Sequence, residues 1–113
     1  MLAKNSRLKK NKEFDLVFKE GKTVYSGILG IKIRENQLEF NRFGVLLSTK
    51  VSKLAVTRNL YKRRIKAILR QENLKIKTGY DGVVIVLPAI ISKNYQEIET
   101  EIKTVFSKLK FYR

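Results

Sequence analysis

Cysteine and histidine are both absent from this 113-residue chain. Without cysteine there are no disulfides and no thiolate metal sites, and without histidine the commonest metal ligand and the usual general base are gone. Acidic residues are scarce: 10 Asp and Glu stand against 25 Lys and Arg, a formal net charge of +15. That excess on so small a protein produces a strong positive surface potential, and a large polyanion is its natural partner. Long apolar runs are missing as well, none approaching the roughly 18 to 20 residues that a membrane span requires. The opening MLAKNSRLKKNKEF is basic, but no apolar stretch follows that could form the core of a secretion signal, so a cytoplasmic protein without a membrane partner is expected. No internal repeat, low-complexity tract or linker interrupts the chain. At 43% hydrophobic composition, residues 1–113 are expected to form one domain around a single core.

What is present is a series of short periodic segments. In KEFDLVFKE, Phe14, Val17 and Phe18 stand at i, i+3 and i+4, which predicts a short helix with Asn11 as its N-cap and Gly21 as a left-handed stop. From Thr23 to Arg34, Leu29, Ile31 and Ile33 alternate with Gly30, Lys32 and Arg34, the period of a half-buried strand. Glu35-Asn36-Gln37 reads as a hairpin turn, and Leu38 to Phe40 and Phe43 to Ser48 read as further strand, the second apolar enough to be central. Between about Val56 and Glu72, Tyr61, Ile65, Ile68 and Leu69 form one stripe of an amphipathic helix. Asn73 and the loop through Gly79 and Gly82 end it; VVIVL at 83–87 then has the β-branched content of a buried strand, stopped by Pro88. Asn94 with Glu97 makes a capping box for a last helix, whose stripe is Ile98, Ile102, Val105, Phe106 and Leu109. The order α-β-β-β-α-β-α predicts an α+β sandwich of one sheet and three helices.

The middle helix concentrates the charge. On a wheel of about 100° per residue, Asn59, Lys62, Arg63, Lys66 and Arg70 share one face, opposite the Tyr61/Ile65/Ile68 stripe. An ordinary solvated face mixes signs. Here no acidic residue occurs between Glu39 and Glu72, while Arg42, Lys50, Lys53, Arg58, Lys62, Arg63, Arg64, Lys66 and Arg70 are all positive. Like charges at i, i+4, such as Lys62 with Lys66, repel by a few tenths of a kcal/mol, so helix stability alone would not select them. A phosphate backbone would, because each neutralised phosphate releases condensed counterions. Asn59 could cap the helix start or pair with a group on the nucleic acid.

The string STKVSKLAVTRNLYKRRIKAIL resembles the Arg-Asn-Arg segment of the protein subunit of bacterial ribonuclease P, and SRLKKNKEFDLVFKEGK resembles that family's N-terminal helix. The order of elements agrees over the whole chain. The resemblance implies a ribonucleoprotein in which a large catalytic RNA with bound magnesium removes the 5′ leader of precursor tRNA, the protein performing no cleavage and needing no obligate protein partner. It also implies one mixed four-stranded sheet with a left-handed crossover through the basic helix, a fold shared with a domain of a small-subunit ribosomal protein and contrary to the usual handedness. Carried over, it places Arg58, Asn59, Lys62, Arg63, Lys66 and Arg70 on the RNA-binding helix, with Lys50 and Lys53 extending that surface. Phe14 and Phe18 match aromatic positions lining a cleft for the single-stranded leader, where stacking would contribute about 1 to 3 kcal/mol per base. Gly30 and Lys32 fall near the strand position expected to complete it. Two departures stand out: Leu60 replaces the second arginine of the triplet, and Lys66 replaces an arginine, losing the planar fork that grips phosphate.

The expected arrangement is a positive cleft floored by the sheet and walled by the first helix and the basic helix, with the helix's outer charges docking the catalytic RNA. Such a protein would raise substrate affinity and lower the magnesium requirement. Composition equally allows a non-enzymatic ribosomal or RNA-chaperone protein. A protein-only nuclease would need a carboxylate metal site, for which Asp15, Asp81, Glu97, Glu99 and Glu101 offer no evident set, Glu97 and Glu101 reading instead as a solvated face turned away from RNA.

Overall fold

The computed structural model describes Arg7, Leu8 and residues 11–113, with only the backbone at Asn11, so the N-cap expected of that side chain lies outside the described residues. The elements are α1 (Asn11–Glu20), β1 (Lys22–Tyr25), β2 (Leu29–Glu35), β3 (Arg42–Leu46), α2 (Ala55–Asn73), β4 (Tyr80–Val86) and α3 (Tyr95–Lys108), with a 3-10 turn at Pro88–Ser92. The α-β-β-β-α-β-α order and the single mixed sheet are as the sequence predicts. Strands run in the order β1-β2-β4-β3, antiparallel except for the parallel β3/β4 pair, which α2 connects.

Three local readings change: Phe43 to Ser48, expected to be central, supplies β3, which stands at the edge of the sheet with β4 as its one neighbouring strand. Because β4 lies between β2 and β3, Glu35-Asn36-Gln37 is not a hairpin turn. The hairpin joins β1 to β2 instead, and it divides the expected Thr23–Arg34 strand at residues 26–28. Ser26 closes it: its N–H donates to the Leu29 carbonyl at 2.7 Å, and its hydroxyl accepts from the Leu29 N–H at 3.3 Å. Residues 38–40 are bends rather than strand. There Asn36 folds the loop on itself, accepting from the Leu38 N–H at 2.8 Å and donating to the Phe40 carbonyl at 3.1 Å.

Gly21 ends α1 for a different reason from the one expected. Its φ is not positive; a Cβ there would strike the Val17 and Ile33 carbonyl oxygens, so glycine lets the helix end press onto β2. The capping box of α3 forms as read, with the Glu97 N–H donating to Asn94 Oδ1 at 2.8 Å and the Asn94 N–H to Glu97 Oε1 at 3.1 Å.

Strand alternation sorts the side chains onto two faces. Leu29, Ile31, Ile33, Phe43, Val84 and Val86 enter the main core, together with Tyr61, Ile65, Ile68 and Leu69 of α2 and the buried stripe of α3. On the other face, Val17 and Leu8 bury against Val83, with Phe14 and Ile85 packed at the margin. α1 therefore lies on one face of the sheet, and α2 and α3 contribute to the core on the other.

Candidate nucleic-acid interface

The geometry of α2 follows from its sequence. Its apolar stripe is buried, and Asn59, Arg63 and Arg70 are exposed on the opposite side, with Lys62 and Lys66 half-buried along the flanks. Among the described residues, none of Lys62, Arg63, Lys66 and Arg70 pairs with a carboxylate. Lys50 and Lys53, in the loop before the helix, are exposed and equally unpaired. Asn59 does not cap: the N-cap position is Leu54, without a side-chain cap bond, and Asn59 points outward from the second turn. Arg58 is partly engaged in structure, since its Nη1 donates to the Ser52 carbonyl at 2.9 Å and ties the loop to the helix. Arg64 lies against the Tyr61 ring, 5.4 Å from its centroid.

Arg42, one of the nine cations in the acid-free stretch, is not available to a partner. Its guanidinium grips Asp81 through Nε at 2.8 Å and Nη2 at 2.7 Å, and Glu13 through Nη1 at 2.7 Å. The hydrogen bond to Asp81, aided by both carboxylates, raises the Arg42 pKa against the opposing effect of burial. This cluster fastens α1 to β3 and β4.

The sheet face beneath α1 is organised in cross-strand rows. Register aligns Gly44, Val83, Lys32 and Thr23 in one row, and Leu46, Ile85, Gly30 and Tyr25 in the next. α1 covers the first: Phe14 settles where a Cβ on Gly44 would stand, Val17 buries against Val83, and Lys32 Nζ lies 5.5 Å from the Phe18 centroid. The second row is left open, with Leu46 and Tyr25 exposed and Ile85 half-buried. Phe14, Phe18 and Lys32 thus lie together along the groove between α1 and the open row, Phe14 being the more buried. The groove's walls differ from expectation. α2 buries its stripe in the core on the far face, so it does not stand over this one. The chain leaves the groove just beyond Leu46 and enters the β3–α2 loop, which carries Lys50 and Lys53.

Tyr25, Leu46 and Ile85 line the same face in the neighbouring row, with no counterpart among the expected cleft residues. The signal for Tyr25 is its pairing with Gly30 across the β1–β2 hairpin, which is visible only once the turn at Ser26 is recognised. No group of three or more described carboxylates is placed to hold a metal ion. Asp81 and Glu13 are bound to Arg42, and Glu72 accepts from the Tyr112 hydroxyl at 2.7 Å, so these side chains do not fit a resident magnesium.

A two-faced α+β sandwich, with a basic helix on one face whose outer cations have no carboxylate partner among the described residues and an aromatic groove on the other, belongs to the class of small proteins that hold RNA. Sequence similarity narrows this further. A family model described as Ribonuclease P matches residues 2–110. The chain is 37% identical over 111 residues to the ribonuclease P protein component of Pseudanabaena sp., covering 97% of this chain and 96% of that one. It is 39% identical over 108 residues to that of Synechocystis sp., covering 95% and 87%. Among solved structures, a Staphylococcus aureus RNase P protein mutant with defective mRNA degradation activity superposes with a TM-score of 0.89 at 26% identity, covering 96% of this chain and 92% of that one. The Thermotoga maritima RNase P protein gives 0.82 at 25% identity, covering 90% and 96%. This chain belongs to the ribonuclease P protein component family. It is the accessory subunit of an RNA-based enzyme that matures tRNA 5′ ends, and the ribosomal or chaperone alternative is not favoured.

Proposed function

We propose that this subunit holds two RNAs at once, the catalytic RNA along the outer face of α2 and the 5′ leader of precursor tRNA in the groove beside α1. The carrying observation is that Lys62, Arg63, Lys66 and Arg70 face outward without a carboxylate partner among the described residues. Cations without a carboxylate partner have no ion pair to give up when phosphates arrive, and each phosphate bound releases counterions. Lys50 and Lys53 continue the positive surface toward the groove, and Arg58 contributes charge while bracing the loop. Asn59, exposed among these cations, supplies a donor and an acceptor for the RNA.

In the groove, Phe14 and Phe18 offer apolar surface to unpaired bases, and Lys32 offers charge to the backbone between them. Stacking tolerates any base, which suits an enzyme whose substrates differ in leader sequence. Magnesium would act through the RNA subunit, since among the described residues no three carboxylates cluster to hold a metal ion. Both partners are RNA, and the setting is the cytoplasm.

The test is reconstitution. Adding this protein to its matching catalytic RNA should produce leader removal at physiological magnesium, where the RNA alone is slow. Identical rates with and without the protein would overturn the reading.

A further inference from the structure

The open row of the sheet contains an aromatic residue that the family resemblance did not point to. Tyr25, at the end of edge strand β1, pairs with Gly30, and its ring occupies the space a side chain there would fill: a Cβ on Gly30 would collide with its Cδ1 and Cε1 atoms. Of the aromatic side chains on this face it is the most open. Tyr25 is 55% exposed against 38% for Phe18, whose ring already carries Lys32 Nζ, while Phe14 is seated on Gly44.

Glycine inside a strand weakens it relative to alanine. Here it fixes the ring against backbone on one side and leaves the remainder to solvent. From Tyr25 to Leu46 the row crosses four strands, about 14 Å at the usual strand spacing, passing Ile85. It borders α1 and runs to the loop carrying Lys50 and Lys53. An aromatic platform, an apolar floor and flanking cations are what a single-stranded nucleic acid requires.

We infer that Tyr25, held in place by Gly30, is a base-stacking platform for a leader nucleotide of precursor tRNA and sets how strongly the length of the leader counts. The inference rests on the groove reading above. It differs from a purely structural role, in which the ring merely covers the glycine and the effect of its loss would not depend on the substrate.

The experiment measures equilibrium binding of the reconstituted holoenzyme to two precursor tRNAs, one with a single-nucleotide leader and one with a long oligoadenylate leader. Tyr25→Ala should weaken binding of the long-leader substrate about tenfold, the scale of one lost stack, and move the short-leader substrate far less. Tyr25→Phe should stay within about twofold of the unaltered protein, because stacking needs the ring and not the hydroxyl. Gly30→Ala, whose methyl displaces the ring, should reproduce the Tyr25→Ala selectivity with the tyrosine present, and thermal melts of each variant establish that it is folded. Equal losses on both substrates, or no loss while the unaltered protein still favours the long leader, would overturn the inference alone. If the unaltered protein shows no leader-length preference, the groove reading fails and takes this inference with it.

Discussion

The single residue with the greatest structural consequence is Arg42. Asp81 is almost wholly buried, at 2% exposure, and its carboxylate takes two hydrogen bonds from Arg42 while also accepting from Asn36 Nδ2 at 2.9 Å. Arg42→Ala would leave that carboxylate uncompensated, and denaturant unfolding should show a loss of about 3 to 5 kcal/mol. Arg42→Lys should be intermediate, since the ammonium keeps the charge but cannot bridge Asp81 and Glu13 with a planar fork. Sequence alone shows this arginine only as one of nine cations in an acid-free stretch, because nothing in the local pattern reveals a carboxylate that is 39 residues away in the chain.

Tyr112 makes the corresponding statement at the C-terminus. Burial, then its hydrogen bond to the Glu72 carboxylate and that charge, raise the phenol's pKa well above its ordinary value of 10.0. A raised folded-state pKa means that the native state keeps a proton the unfolded chain has released. Its contribution is therefore complete below pH 10 and is lost as pH climbs beyond it. Tyr112→Phe should lower stability at neutral pH by about 1 to 3 kcal/mol, because the buried Glu72 loses a donor. It should also flatten the fall in stability above pH 10, which denaturant midpoints across that range would register.

At the scale of elements, α2 was legible almost to its ends. A stripe at i, i+4, i+7 and i+8 and an acid-free outer face are properties of one contiguous segment, and both survive in the fold. The capping box of α3 was legible for the same reason. The strands were less so. Alternation was real in Leu29, Ile31 and Ile33, but it could not show that the preceding residues turn back at Ser26, nor that β4 enters between β2 and β3. Likewise, the family resemblance alone pointed to Phe14, Phe18 and Lys32 as cleft residues, whereas Tyr25, Leu46 and Ile85 come onto the same sheet face only through cross-strand register. Helix charge has its own cost: Lys66 has Lys62 and Arg70 one turn away on either side. Lys66→Gln should raise thermal stability by a few tenths of a kcal/mol while weakening affinity for the catalytic RNA. A variant stabilised in this way with unchanged RNA affinity would remove Lys66 from the interface.

For the whole molecule, the net charge of +15 is not evenly available. Arg42 is bound to Asp81 and Glu13, and Arg34 donates to Glu20 at 2.6 Å. Lys93 and Lys103 each pair with a glutamate on α3 at 3.9 Å, so that helix presents mixed signs rather than a cationic surface. Among the described residues, the cations on the outer face of α2 and in its preceding loop have no carboxylate partner, an asymmetry that would steer the proposed docking of RNA to this side. The sheet between α1 and α2 supplies the rigidity that keeps groove and ridge in fixed relation.

The salt dependence of binding to the matching catalytic RNA measures that ridge most directly. With Lys62, Arg63 and Lys66 all changed to alanine, a folded protein should bind more weakly, and the slope of log affinity against log salt should flatten by about one unit for each phosphate no longer neutralised. Parallel lines of equal height for the altered and unaltered proteins would mean that the catalytic RNA is held elsewhere.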